Sequence, residues 1–303
     1  MSERVVVRVP GKINLQLSVG PLQSDGYHEV ATVFQSLSIF DEVTVAVADS
    51  GKTDVTVKPE GKSSDFFPLG NENIAVRAAE LMRKRFDIGD GLLITIKKEL
   101  PIAGGMAGGS ADAAATILAI DSLYALGLKR PEMEEIGAQL GADVPFLLSG
   151  GTAMGTNRGE RITPVLARGS YNWVLALSSS GLSTPSVYKE CDRLRAGLDI
   201  ARPHISDNLL HALSHGDAKA LGKSLANDLQ PAACSLRPAL RLILDVGIDY
   251  GALGAIVSGS GPTVAFLAEN EEHALDLVVA LTSSGVVGNV LRASGPVPGA
   301  RVI

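Results

Sequence analysis

The chain has 303 residues, of which 46% are hydrophobic and 20% charged, and its formal net charge is −6. This composition excludes a disordered or fibrous protein and argues against a general nucleic-acid binder, which needs a basic surface to replace phosphate counterions. The two cysteines, Cys191 and Cys234, are far apart in the sequence, so we expect neither disulfides nor a structural zinc site. No secretory segment follows Met1, and no apolar run reaches the roughly 18 residues that cross a bilayer. We therefore expect a soluble cytoplasmic protein without membrane contact.

The first hundred residues are predicted to be mostly β-structure. Period-two alternation predicts strands that are interrupted at Pro10-Gly11, and a turn follows at Ser24-Asp25-Gly26. A helical period then appears before a last strand, which leads directly into a glycine-rich segment. The predicted strands cover 4–9, 13–19, parts of 30–57 and 92–97, and the predicted helix covers 73–86.

The glycine-rich segment runs from Pro101 to Ala111 and has glycines at positions 104, 105, 108 and 109. It joins a predicted strand to a predicted helix, where glycines allow a close backbone approach and the helix start offers unpaired N–H groups to an anion. The spacing is not that of a Walker A motif, since Ser110-Ala111 stands where Lys-Ser/Thr is required. The segment therefore predicts a phosphate-binding loop, with a glycine-rich turn that binds no ligand as the alternative.

After the loop the pattern alternates between helices and strands and predicts an α+β sandwich with an antiparallel sheet. A length of about two 150-residue units favours two domains, and we place the boundary at 163/164. The predicted helices cover 110–126, 132–140, 144–149, 185–196, 206–226, 236–247 and 271–284; a hairpin covers 150–160, and strands cover 172–178, 252–257, 263–268 and 288–293.

Three groups of polar residues are candidates for the chemistry. Alternation predicts that Lys12, Asn14, Gln16 and Ser18 share one strand face, which could also be a solvated face. Asp143 could cap a helix or act as the base that deprotonates an acceptor hydroxyl, and Ser110 could cap the helix after the loop or contact a phosphate or its magnesium ion. Tyr27 and His28 follow a tight turn, where they could meet a ligand or simply lie on the surface.

Taken together, the segments Pro10 to Leu15, Asp25 to Glu29, Pro101 to Ala111, Gly141 to Pro145 and Val257 to Pro262 resemble the GHMP kinase superfamily over nearly the whole chain. The resemblance implies an N-terminal domain, residues 1–163, that binds ATP and is similar to domain 2 of ribosomal protein S5. It also implies a C-terminal ferredoxin-like substrate domain, residues 164–303. Within the superfamily, the Lys-Ile-Asn-Leu and Asp-Gly-Tyr-His segments are most similar to members that phosphorylate the 2-hydroxyl of a cytidyl-diphosphate-linked methylerythritol for isoprenoid synthesis.

The resemblance also implies a role for each candidate residue, in an enzyme that uses ATP and Mg²⁺. Asp143 would be the catalytic base and Lys12 would stabilise it and the transferring phosphoryl group; Asn14 would hold the methylerythritol. Tyr27, His28, Thr184 and Tyr188 would bind the cytidine. The ATP-binding residues would be Pro101, Ile102, Ala103, Gly104, Gly105, Met106, Ala107, Gly108, Gly109, Ser110 and Ala111, with Asn73 near the adenine.

Some questions stay open at this point. The helix after the loop contains Asp112 and Asp121 but lacks the magnesium-binding glutamate of some superfamily members, so no metal ligand is assigned. Homoserine, mevalonate and galactose kinases share the glycine loop but lack the Asp-Gly-Tyr-His turn, and the S5-like fold also occurs in non-catalytic RNA-binding proteins. We expect a small-molecule substrate, no nucleic acid, and a monomer or homodimer.

Overall fold

The computed structural model describes residues 4–48, 54–60, 68–101, 104–178 and 181–303. The strands in this part of the chain are β1 Arg4–Leu22, β2 His28–Val47, β3 Val55–Glu60, β4 Leu92–Lys97, β5 Thr152–Thr156, β6 Arg161–Pro164, β7 Tyr171–Leu177, β8 Ala226–Asn227, β9 Gly254–Val257, β10 Val264–Ala268, β11 Asn289–Gly295 and β12 Arg301–Val302. The α-helices are α1 Ile74–Phe86, α2 Gly108–Leu123, α3 Arg130–Ala138, α4 Val144–Ser149, α5 Thr184–Leu194, α6 Asp207–His215, α7 Ala218–Ser224, α8 Gln230–Leu236, α9 Ala239–Asp249 and α10 Glu271–Ser283.

Most predicted elements are confirmed, and the main errors are one strand interruption and one helix that is in fact two. The interruption predicted at Pro10-Gly11 is wrong, because β1 continues through it and the pairing with β2 only shifts register there. A β-bulge of this kind keeps the strand paired while changing its course. The single helix predicted over 206–226 is also wrong: α6 ends at His215, its C-cap Gly216 has a φ of 70°, and α7 begins at Ala218.

The first sheet is built around the long antiparallel pair β1 and β2. Its strand order is β12-β1-β2-β4-β3, and β5, β6 and β8 extend it from β2, β5 and β1 respectively. Helix α2 packs against β1 and β2, and its small buried residues allow this close contact. Residues beyond 163 contribute β8 and β12 to this sheet, and the boundary at 163/164 stays a prediction.

The second sheet is antiparallel, with the strand order β11-β7-β10-β9. Helices separate β7 from β9 and β10 from β11, so the chain follows the β-α-β-β-α-β order of a ferredoxin-like domain. The α+β prediction is therefore confirmed, and the second half of the chain has the expected architecture.

The two sheets contact each other through a buried polar pair. The Trp173 indole on β7 donates a 2.8 Å hydrogen bond to Gln35 Oε1 on β2, and both side chains are fully buried. A buried indole needs such an acceptor, and this one links the two halves of the chain. None of the described helices is long and apolar enough to cross a membrane.

Candidate active site

A cavity of about 690 Å³ lies where the two halves of the chain meet. It is lined by the glycine loop and the start of α2, by β1 and β2, by the segment before α4, by the start of α5 and by the turn between β9 and β10. Segments that are distant in sequence therefore surround one space, which is large enough for an extended small molecule.

Lys12 is 4% exposed, so its face of β1 is not a solvated one. Its ammonium Nζ donates a 2.8 Å hydrogen bond to Asn14 Oδ1 and lies 3.7 Å from Asp143 Oδ2. The amide of Asn14 in turn donates to Thr32 Oγ1 at 2.7 Å, which fixes its orientation. Lys12 and Asp143, which are far apart in the sequence, therefore converge in the cavity.

The prediction that Gln16 and Ser18 share the face of Lys12 and Asn14 is wrong. The pairing of β1 with β2 shifts between Asn14 and Gln16, and beyond this shift it is Leu17 that lines the cavity. Gln16 instead points away from it: its Nε2 donates to the His204 carbonyl at 2.8 Å, and its Oε1 accepts from Ser206 N at 2.9 Å. A one-residue irregularity exchanges the two faces of a strand, which alternation alone does not reveal.

The glycine loop and the start of α2 form the anion-binding side of the cavity. Gly104, Gly105, Ala107, Gly108, Gly109 and Ser110 line it. Helix α2 begins without a side-chain cap, so the first N–H groups of the helix have no intrahelical partner and are available to a ligand. The prediction that Ser110 caps this helix is wrong, because the cap position is Ala107; Ser110 lies within the first turn and faces the cavity.

Three described residues of the predicted loop are not part of this lining. Pro101, Met106 and Ala111 do not line the cavity, and Met106 and Ala111 are fully buried beneath it. The Lys12 N–H donates to the Met106 carbonyl at 3.2 Å, which joins the loop to β1. Ile102 and Ala103 lie outside the described residues.

Asn73 occupies a capping position. Its Oδ1 accepts from Ala75 N at 2.9 Å and its Nδ2 donates to Pro68 O at 3.0 Å, which is typical of the residue that starts a helix. It is 3% exposed and does not line the cavity, whereas the next residue, Ile74, does. Its predicted contact with adenine stays a prediction.

The turn between β9 and β10 contributes one wall of the cavity, a role that its sequence pattern did not predict. A Cβ built on Gly259 would lie 3.3 Å from Asn14 Oδ1 and 3.6 Å from Lys12 Nζ, so this turn covers both side chains. A Cβ on Gly105 would lie 2.4 Å from Ser258 O, and Gly105 has a φ of 76°. Only glycine meets both demands, so the turn of the second half closes directly on the phosphate-binding loop.

Asp143 stands at the N-cap position of α4, but its side chain makes no capping hydrogen bond. The alternative interpretation as a capping aspartate is therefore wrong. Its carboxylate is about one-third exposed, at 31%, and lines the cavity. Because this carboxylate does not accept a hydrogen bond from the N–H groups of α4, it remains available to a ligand hydroxyl.

The predicted cytidine residues form an aromatic rim. Tyr188 and Thr184 line the cavity, and the Thr184 hydroxyl is 2.8 Å from that of Ser260. Burial and the Asp143 carboxylate raise the pKa of Tyr188 to about 12, so it stays protonated at neutral pH. The His28 ring is 5.1 Å from the Tyr188 ring and bonds to Asp192 at 2.8 Å, but it does not line the cavity.

Tyr27 lies at the outer edge of this rim. It is 55% exposed and does not line the cavity itself. Its ring is covered by the guanidinium of Arg158, whose carbon is 3.8 Å from the ring centroid and which does line the cavity. Arg158 is a lining residue that the sequence patterns did not identify, although an arginine next to a glycine in a predicted hairpin turn was a usable signal.

A buried group of charges connects the two ends of the glycine loop. Lys98 Nζ donates to Asp41 Oδ2 at 2.6 Å, to Asp112 Oδ2 at 2.8 Å and to the Gly108 carbonyl at 2.9 Å. Asp41 also accepts the N–H groups of Glu99 and Leu100. Because Lys98 precedes the loop and Gly108 lies in its far half, this group fixes the distance between the two ends of the loop.

The surroundings of Asp112 within this group favour its neutral form, because burial raises the pKa of its carboxyl. Its Oδ1 is buried without a partner, and burial raises its pKa to about 8. Protonation of Asp112 balances the charges of Asp41 and Lys98, since a second buried carboxylate would otherwise be uncompensated. Asp112 is therefore part of the framework and does not line the cavity.

The residues that could hold a metal are few. The described residues contain no group of three or more His, Cys, Asp or Glu side chains placed to bind an ion. Ser110 and Asp143 nevertheless offer oxygen atoms at the cavity wall. This fits Mg²⁺, which keeps several waters and is commonly bound through one or two side chains and the phosphates of a substrate.

Comparison with known proteins agrees with this geometry. The models for the GHMP kinase N-terminal and C-terminal domains match residues 73–151 and 209–287. A 4-diphosphocytidyl-2-C-methyl-D-erythritol kinase of Mycolicibacterium gilvum (strain PYR-GCK) is 50% identical over 99% of this chain and 92% of its own length. The enzyme of the same name from Thermobifida fusca (strain YX) is 48% identical over 99% of this chain and 98% of its own length.

Solved structures show the same fold. A crystal structure of 4-(cytidine 5'-diphospho)-2C-methyl-D-erythritol kinase aligns with a TM-score of 0.76 and 31% identity, covering 95% of this chain and 98% of the other. The predicted two-domain fold is thereby confirmed.

Proposed function

The chain belongs to the GHMP kinase family, and from this premise we propose that it transfers the γ-phosphate of ATP to the 2-hydroxyl of 4-diphosphocytidyl-2-C-methyl-D-erythritol. Two relatives about half identical over nearly the whole chain support this acceptor. We also propose that the reaction takes place in the cytoplasm, in the supply of isoprenoid precursors.

The observation that carries the catalytic proposal is the convergence of Lys12 and Asp143 opposite the glycine loop, at a distance of 3.7 Å. Asp143 accepts the proton of the acceptor's 2-hydroxyl while the oxygen of that hydroxyl bonds to the γ-phosphorus. The bond between the γ-phosphorus and the oxygen that joins it to the β-phosphate breaks, and ADP leaves. Lys12 stabilises the carboxylate before transfer and the phosphoryl charge during transfer. Asn14, through its bond to Lys12, holds that ammonium in place and faces the same part of the cavity.

The donor side uses the backbone more than charged side chains. The unpaired N–H groups at the start of α2 and the loop at Gly104-Gly105 bind the phosphates of ATP. Ser110 and Asp143 would be the side chains nearest to a Mg²⁺ ion bound with these phosphates, and the ion would supply neutralisation of phosphate charge.

The acceptor side begins at the aromatic rim. Tyr188 and Tyr27 offer rings on which a cytosine can stack, and His28 is held beside Tyr188 by its bond to Asp192. Thr184 and Ser260 place hydroxyl groups between this rim and the loop. The cavity therefore has a site for a base at one end and for the reacting groups at the other.

A coupled assay of ADP release across several acceptors tests the proposal. We expect turnover with the cytidyl acceptor and little with mevalonate or homoserine; preference for either of these would overturn the assignment. In the same assay Asp143→Asn and Lys12→Met should each reduce kcat by at least about 100-fold, because each removes a group that acts in the transition state. ATP binding should change little, and wild-type rates in either variant would contradict the catalytic roles.

A further inference from the structure

Building on the proposed function, we infer that Arg158 binds the diphosphate of the acceptor and so selects a nucleoside-diphosphate-linked substrate. The relatives' name specifies an acceptor in which a diphosphate joins the cytidine to the sugar alcohol. That group has to be matched by a cation, and it lies between the base and the reacting hydroxyl. Arg158 is the residue of the described cavity that meets both conditions.

The first condition is charge. Among the described residues that line the cavity, the cationic side chains are Lys12 and Arg158. Lys12 is deeply buried and already engaged with Asn14 and Asp143, at the end where phosphoryl transfer takes place. Arg158 is thus the lining cation that is left for a second phosphate group. The chain as a whole is acidic, so this positive charge is a local feature and not part of a basic surface.

The second condition is position. Arg158 lies in the turn between β5 and β6, and the turn is held firmly on both sides. Val30 N donates to Asn157 O at 2.7 Å, and a Cβ built on Gly159 would lie 3.8 Å from the Cβ of Ala142, the neighbour of Asp143. The backbone of Arg158 is therefore fixed between the aromatic rim and the proposed base.

The third observation is the state of the guanidinium itself. It stacks on Tyr27 at 3.8 Å and pairs with Asp25 at 2.9 Å. The side chains of both Arg158 and Asp25 are 48% exposed, and an ion pair this open contributes little stability. Replacing the Asp25 carboxylate by a phosphate oxygen as the partner of Arg158 therefore costs little free energy. The planar guanidinium can bind the phosphate through two N–H groups while it remains stacked on Tyr27.

Kinetics and inhibition by two fragments of the acceptor test this inference. The variants are Arg158→Met and Arg158→Lys, with Arg161→Met as the matched control, because Arg161 is exposed on the same hairpin and does not line the cavity. KM is measured for 4-diphosphocytidyl-2-C-methyl-D-erythritol and for ATP. The inhibition constants of CDP and of cytidine against the acceptor are measured for the same proteins.

We expect Arg158→Met to raise the acceptor KM and the CDP inhibition constant by about 10-fold or more, the effect of a lost charge-assisted contact. The cytidine constant and the ATP KM should stay at wild-type values, Arg158→Lys should fall between, and Arg161→Met should match wild type. Equal weakening of CDP and cytidine would overturn the inference, since Arg158 would then act only by supporting Tyr27. An unchanged acceptor KM in Arg158→Met, with normal turnover, would refute the inference alone. A wild-type protein that does not phosphorylate the acceptor would refute the proposed function and the inference with it.

Discussion

Replacing Lys98 with methionine is the sharpest test of how the phosphate-binding loop is held. The Lys98 side chain is 3% exposed, and its ammonium is shared by Asp41, Asp112 and the Gly108 carbonyl. Methionine has a similar length but no charge and no N–H group. The change therefore leaves buried acceptors without their donor while it preserves most of the packing volume.

The expected loss follows from these contacts. Removing one partner of a buried ion pair costs about 3–5 kcal/mol, because the other charge stays buried without compensation. Asp41 keeps two backbone N–H bonds and Asp112 can hold a proton, so we expect a loss near the lower limit, about 3 kcal/mol. With an unfolding entropy of about 2 cal/mol/K per residue, this loss lowers the Tm by about 5 °C.

Thermal and urea unfolding of Lys98→Met measure this loss, and Lys97→Met is the matched control. Lys97 is the adjacent lysine, half-exposed, and lies 3.7 Å from Glu42. Its replacement should change the free energy of unfolding by less than about 1 kcal/mol. Because Lys98 also binds Gly108 at the far end of the loop, the ATP KM should rise in Lys98→Met and not in the control. A Lys98→Met protein as stable as Lys97→Met would refute the assigned role of the buried charges.

Two further predictions concern the same loop. For Asp112→Asn, the relevant quantity is the difference in stability from wild type. Since burial raises the pKa of Asp112 from 3.8 to about 8, the folded protein keeps a proton that the unfolded chain releases. Wild-type stability relative to Asp112→Asn should therefore fall as pH rises through this window, by up to about 1.4 kcal/mol per pH unit, and level off above it; parallel urea-unfolding curves at all pH values would contradict this. Gly105→Ala should cost at least about 2 kcal/mol and raise the ATP KM, because the added Cβ meets Ser258 O at 2.4 Å. Gly89→Ala, which meets nothing within 4 Å, is its control, and equal stability of the two variants would argue against the close contact.

The glycine loop shows how far sequence could be taken. Four glycines at a strand-to-helix junction predict a phosphate-binding loop because glycine's backbone freedom and the helix N-terminus are local properties. The local pattern left Asp143 as either a cap or a base, and it was the resemblance that implied a joint role for Lys12 and Asp143. The structure places these two side chains in one cavity, and their catalytic roles remain to be tested by the variants above.

Sequence alone located most of the elements and the glycine loop, since these depend on residues within one or two turns of the chain, but it placed the start of α2 two residues late, at 110. Only the tertiary structure decided which side chains meet. The register shift between Asn14 and Gln16 puts these two residues, which were predicted to share a strand face, on different sides of β1. Lys98 pairs with a carboxylate from β2 and with another from α2. The physical reason is that strand register and the pairing of buried charges depend on segments packed together from distant parts of the chain, and these contacts leave no periodic signal in the sequence.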